Sequence, residues 1–231
     1  LTDRFSCEVS LLNDFTAQAL AIPVFTPDDL LWLRSPALDT TDLTRAIIGP
    51  GTGLGVAALL PGGGVVDSEG GHISFAPQTS QQRQLAASLS EHFPRLSVER
   101  LVSGPGLANL YRGLGHGEKD GKIPSPQQIA TGASAGDSGC LETVRVFTEI
   151  LGSVCGDLAL AFGAKGGVYL SGGVLQNLGD LFDAALFLEH FSRKGRYQHY
   201  CNQIPVARVL HPQPGLLGAA RYAVTPDKPV R

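Results

Sequence analysis

Methionine is missing from all 231 residues, and the chain opens at Leu1. A translated chain begins with Met, so the expectation is a processed or truncated portion of a longer protein. Basic runs are also missing. Eighteen Lys and Arg stand against 21 Asp and Glu, a net charge of −3, with no cluster of either sign. That argues against a nucleic-acid or acidic-membrane partner, both of which need a positive patch. No apolar run approaches the ~18 residues that span a bilayer, and no secretory leader pattern opens the chain. The four cysteines (Cys7, Cys140, Cys155 and Cys201) are scattered, with no Cys-x-x-Cys pair. Scattered thiols suit a reducing cytoplasm and argue against a zinc cluster. Aromatic residues are scarce at 7% and charged residues stand at only 17%. The 43% hydrophobic content is nevertheless that of a globular chain able to bury a core without staples.

What is abundant is glycine, 29 of 231, against an average of ~7%. Such use implies many sites of positive φ or close backbone approach. The apolar pair Leu11-Leu12 reads as a strand end running into a helix over Phe15–Leu20, with Asn13 or Asp14 as N-cap. Pro23, Pro27, Asp28 and Asp29 mark a loop or helical turn. Ala46–Ile48 and Val56–Leu60 flank Gly49-Pro50-Gly51-Thr52-Gly53-Leu54-Gly55, a hairpin pattern with a glycine-rich turn. Helical patterns follow at Gln82–Phe93 and Gly106–Gly113. The stretch from Gly115 to Gly136 is rich in Gly, Pro and Ser and reads as a surface excursion. Val144, Phe147, Leu151, Val154, Leu158 and Phe162 recur at helical spacing and predict one long buried helix ending near Gly163. A strand at Val168–Leu170, a helix over Asn177–His190, a strand at Val206–Leu210 and a last helix after Pro214-Gly215 complete an α/β alternation.

Three groups of residues carry chemistry. Gly51-Thr52-Gly53 can point backbone N–H groups and a hydroxyl at an anion, or can merely satisfy a tight turn. It is not a Walker A loop, because no Lys follows. Ser171-Gly172-Gly173 after a buried strand can flank a nucleotide, or simply allow close helix–strand packing. Asn13, Asp14, Glu69, His72 and Glu99 are groups that bind polyol hydroxyls when gathered around one cavity. Separately, they read as a helix cap, surface carboxylates and a loop histidine. Glu69-Gly70-Gly71-His72 reads as a flexible loop, and Glu99 as the residue before a strand-like Leu101-Val102.

Six ordered segments decide among these alternatives: Leu-Leu-Asn-Asp-Phe-Thr-Ala (11–17), Gly-Pro-Gly-Thr-Gly-Leu-Gly (49–55), Glu-Gly-Gly-His-Ile-Ser-Phe-Ala-Pro (69–77), Glu-Arg-Leu-Val-Ser-Gly-Pro-Gly-Leu (99–107), Gly-Gly-Val-Tyr-Leu-Ser-Gly-Gly-Val (166–174) and His-Pro-Gln-Pro-Gly-Leu-Leu-Gly-Ala (211–219). Together they resemble the bacterial glucokinase family, the non-zinc branch of the actin/hexokinase-like ATPase superfamily. The resemblance implies an α/β, actin-like (ribonuclease H-like) sugar kinase fold. Residues 1–24 would end a small domain and hinge, 25–210 form the large domain, and 211–231 return as a helix to the small domain. It implies Asp14 as catalytic base, with Asn13, Asp14, Glu69, His72 and Glu99 as glucose ligands. Gly51, Thr52 and Gly53 would form the second phosphate loop, and Ser171, Gly172 and Gly173 flank the adenosine. ATP and Mg²⁺ are the implied cofactors, glucose the partner, a cytoplasmic homodimer the implied state, and a zinc site is not expected. The family's Asp-x-Gly-Gly-Thr phosphate loop does not occur here, which implies that the chain alone is inactive. A sugar sensor on the same fold, or a kinase for another hexose, are the competing expectations.

Overall fold

The computed structural model of the chain describes residues 9–37, 39–117 and 122–225. Six strands form one mixed sheet: β1 (Leu30–Arg34), β2 (Arg45–Pro50), β3 (Leu54–Leu59), β4 (Val65–Ser68), β5 (Gly167–Leu170) and β6 (Val206–Val209). Their order is β1-β6-β5-β2-β3-β4. The central β6, β5 and β2 run parallel, and the antiparallel β1, β3 and β4 complete the sheet.

Both faces are covered, and the strands divide their side chains between them at the period-2 alternation of a pleated strand. Ala46, Ile48, Val56, Val168, Leu170 and Val206 enter the larger core, whereas Ile47, Ala57, Leu59, Tyr169, Ala207 and Val209 enter the smaller one. The larger core is filled by α2 (Ser80–Ser90), α3 (Gly104–Gly113), α4 (Pro126–Ser134), α5 (Ser138–Phe162), α6 (Gly173–Leu178), α7 (Ala184–Ser192) and α8 (Gln198–Asn202). On the smaller face lies α1 (Asp14–Ala21), against which α9 (Pro214–Val224) packs.

The expected hairpin, the long helix and the final helix are present. The 25-residue α5 begins at Asp137, whose carboxylate accepts from the Cys140 N–H, and stops at Gly163 with φ 60°. That left-handed stop favours glycine, which has no Cβ to clash. Several expectations are corrected. Leu11-Leu12 is not a strand, and neither is Leu101-Val102, a buried turn between the short helix Val98–Arg100 and α3. The polar stretch before Gly136 contains α4, closed by a Ser125–Gln128 capping box and anchored by buried Ile129 and Ala133. Its polar exterior hides a two-residue apolar anchor in the composition. The single helix expected over Asn177–His190 is two, because Gly179 (φ 52°) ends α6 and Asp183 caps α7. The edge strands β1 and β4 are short and only partly buried, so neither shows the alternation of a half-buried strand.

Cys140, Cys155 and Cys201 are buried free thiols, while Cys7 lies outside the described residues. Burial pushes the Cys155 thiol well above the ordinary cysteine range and also raises that of Cys201. Because the thiolate is the reactive species, a native Cys7→Ser variant is expected to resist a disulfide reagent at pH 8. It should release three thiol equivalents only on unfolding. Prompt stoichiometric labelling of the folded variant would overturn the packing described for these residues. No described helix is long and apolar enough to cross a membrane.

Candidate active site

The helix α1 starts where it does because Asn13 caps it. The Asn13 Oδ1 accepts from the N–H groups of Phe15 (2.8 Å) and Thr16 (3.2 Å). Asn is among the best N-cap residues, since its side chain satisfies backbone donors that have no partner within the helix. Asp14 is therefore the first helical residue. Its Oδ1 also accepts from the Phe15 N–H at 2.8 Å, and its side chain is exposed beside the positive end of the helix.

Phe15 places this helix end on the sheet. Gly49 and Gly55 face each other across the β2–β3 hairpin, and the Phe15 ring occupies the space above them. A Cβ on Gly55 would lie inside that ring, and one on Gly49 would come within 2.7 Å of it. The glycine pair thus makes a hollow for an aromatic ring and holds Asn13 and Asp14 beside the Gly51-Thr52-Gly53 turn. Thr52 is exposed at the tip, and the Gly51 carbonyl accepts from the Gly104 N–H (2.7 Å) at the start of α3.

On the far side of the turn stand the carboxylates. Glu69 and Glu99 are brought together by pairing of 73–75 with 96–98, in which Phe75 N donates to Leu96 O (3.0 Å) and Val98 N to Ile73 O (2.9 Å). Glu69-Gly70-Gly71-His72 is not a flexible loop, as its composition suggests. It is a helical turn with Gly70 and Gly71 buried against β3, where a Cβ on Gly71 would strike the Leu54 carbonyl. The His72 Nε2 lies 3.8 Å from Glu69 Oε2 and 4.0 Å from Glu99 Oε1, between the two carboxylates. Its carbonyl accepts from Arg95 at 2.8 Å.

Asn13, Asp14, Gly51, Thr52, Gly53, Glu69 and Glu99 line a single open cleft of about 330 Å³, with Phe15, Leu54 and Ser68 among the other wall residues. This volume is at the lower end of small-molecule sites (about 300–1,000 Å³). His72 is exposed and is not among the residues lining the cleft, although it lies beside Glu69 and Glu99, which are. Ser171, Gly172 and Gly173 do not line the cleft. The Ser171 hydroxyl donates to Gln18 Oε1 of α1 at 2.7 Å, and Gly172 (φ 105°) lies so close to Pro50 that a Cβ would strike its carbonyl. Gly173 is exposed at the start of α6, with no atom near its missing side chain. Phe15 and Ser68, which directly adjoin Asp14 and Glu69 in the chain, are wall residues with no polyol-binding signal in the sequence beyond that adjacency. Among the described residues no group of three His, Cys, Asp or Glu side chains is arranged to hold a metal ion.

A family model described as Glucokinase matches residues 3–226. The glucokinase of Xylella fastidiosa strain 9a5c is 43% identical over 224 residues, covering 92% of this chain and 66% of its own length. That of Caulobacter sp. strain K31 is 43% identical over 222 residues, covering 94% and 67%. Among solved structures, a glucokinase from an Antarctic psychrotroph is 36% identical with a TM-score of 0.83, over 91% of this chain and 66% of that one. A Balamuthia mandrillaris glucokinase, crystallised in complex with glucose, has a TM-score of 0.79 at 20% identity, covering 91% and 64%, a likeness of fold alone. The sheet and its two helical layers are therefore those of the actin-like sugar kinases. The chain spans about two thirds of the length of the curated relatives it matches.

Proposed function

Since the chain belongs to the glucokinase family, we propose that its protein transfers the γ-phosphoryl group of ATP to the 6-hydroxyl of glucose. The observation that carries this reading is the single cleft in which an exposed Asp14, the Gly51-Thr52-Gly53 turn and two further carboxylates converge. In the proposed step, the sugar O6 forms a bond to γ-phosphorus as the bond to the ADP oxygen breaks. The O6 proton passes to the Asp14 carboxylate. Phosphoryl transfer needs little covalent help from the protein, so positioning and charge neutralisation dominate. Asn13, Glu69, His72 and Glu99 would hold the sugar hydroxyls, leaving O6 toward Asp14. The exposed Thr52 turn supports a role at the phosphate end. Ser171, Gly172 and Gly173, which lie outside the cleft with Gly172 against Pro50, would border the adenosine.

The donor set fits a Mg²⁺ ion that arrives on the triphosphate. Mg²⁺ favours substrate phosphates with one or two carboxylates over an all-protein cage, and the described residues gather no such cage. The Thr52 hydroxyl would meet it at the phosphate end, and when bound it supplies neutralisation of phosphate charge. The buried free thiols favour a cytoplasmic setting.

Sugar recognition is tested with Glu69→Gln and Glu99→Gln in the full-length protein. A hydrogen bond to an ionised carboxylate is worth about 1.5–3 kcal/mol against about 0.5–1.5 kcal/mol for a neutral acceptor, and Gln keeps only the weaker one. Each variant should therefore raise the apparent KM for glucose about tenfold and leave that for ATP nearly unchanged. Steady-state kinetics with either substrate varied checks this, and an unchanged glucose KM in both variants would remove these carboxylates from the pocket.

A further inference from the structure

Gly51 and Gly53 look equivalent in sequence, but the structure gives them different surroundings. A Cβ on Gly51 would meet nothing within 4 Å, whereas one on Gly53 would come within 2.5 Å of Glu99 Oε2. That same Oε2 accepts from the Leu54 N–H at 3.0 Å. Neither glycine has a positive φ, so backbone conformation does not require glycine at 53. What a side chain at 53 would displace is the Glu99 carboxylate. At its other end, the Glu99 carbonyl accepts from the Ser103 hydroxyl (2.8 Å), which also caps α3 by accepting from Gly106 N (3.0 Å).

We propose that the bare face of Gly53 and the Leu54 amide form a seat that fixes Glu99, making Gly53 a positioning residue for sugar recognition. One carboxylate oxygen is fixed on the hairpin, and the other, Oε1, is turned toward His72. A free glutamate rotates about three side-chain bonds, and freezing it beforehand removes an ordering cost from the binding step. The seat also ties the sugar-binding carboxylate to the turn that carries Thr52. This inference rests on the reading of Glu99 as a sugar ligand.

The test is a double-mutant cycle on the full-length protein, read by calorimetric titration with glucose. Gly53→Ala should weaken glucose binding about tenfold in the wild-type background and less than twofold in the Glu99→Ala background, where the obstructed carboxylate is gone. An equal effect in both backgrounds, or no effect in the wild type, overturns the seat. If Gly53→Ala fails to fold, the Gly53→Ala/Glu99→Ala chain should recover, and its failure to do so also overturns the proposal. Amide exchange separates this proposal from the reading beneath it. The Leu54 N–H should lose protection in Glu99→Ala, and unchanged protection rules out the seat. If protection is lost but glucose affinity is unaltered in Glu99→Ala, the carboxylate is seated as described without being a sugar ligand. In that case the sugar-recognition part of the proposal is the part that is wrong.

Discussion

Asp14→Asn in the full-length protein is expected to lower kcat for glucose phosphorylation by about 10²–10⁴-fold, the usual loss when a general base is removed. An amide has no basic oxygen for the O6 proton, although its oxygen still accepts a weaker hydrogen bond from a hydroxyl. Glucose affinity should therefore fall much less than kcat. The structure removes the main confounding explanation, because the helix is capped by Asn13 and not by the substituted residue. What the substitution loses structurally is a negative charge in the first helical turn, about 0.3–1 kcal/mol. At about 2–4 °C per kcal/mol for a chain of this size, the melting temperature should move by only a few degrees. Steady-state kinetics, glucose titration and thermal unfolding on one preparation check all three. A kcat within a few-fold of wild type would reduce Asp14 to a favourable helix-start charge.

Gly55→Ala, a single added methyl group, is expected to be damaging far beyond its size. Its Cβ would fall within the Phe15 ring, which is backed by the β2–β3 hairpin and has no room to settle lower. Overpacking of this kind costs about 1–3 kcal/mol, so the melting temperature should fall by roughly 2–12 °C. The larger consequence is catalytic. Phe15 follows Asp14 directly, so displacing the ring moves the carboxylate, and misplacement by ~1 Å can cost about 100-fold in rate. Phe15→Ala removes the obstruction, and the Phe15→Ala/Gly55→Ala protein should lose less stability than the two single losses added together. Strict additivity in thermal unfolding would show that ring and glycine do not compete for the same space.

Much of the site was legible because its groups are carried by local patterns. An Asn-Asp pair before an apolar helical run announces a capped helix start, and a glycine-rich turn between two apolar runs announces a hairpin. Both forms hold in the structure at Asn13 and at Gly51–Gly53. The long α5 was legible for the same reason, since one buried stripe repeated over 25 residues exceeds the noise of any single position. What failed was short or polar outside. The helix α4 fully buries only Ile129 and Ala133, and β1 and β4 sit at sheet edges where alternation is incomplete.

The α/β class, the central hairpin, the start of α1 and, through six ordered motifs, the family resemblance are therefore legible in the chain before it folds. Each depends on residues near one another in the chain, where spacing and cap chemistry act directly. Only the packing shows which of two like glycines has a carboxylate against its bare face, that Glu-Gly-Gly-His is a packed turn, and that Ser171 faces Gln18 instead of the cleft. Those outcomes depend on where distant backbone arrives: Glu99 on Gly53, Leu54 on Gly71, and α1 on β5. A missing Cβ looks the same in every glycine of a sequence, and only the atom that comes to occupy its space gives it a role.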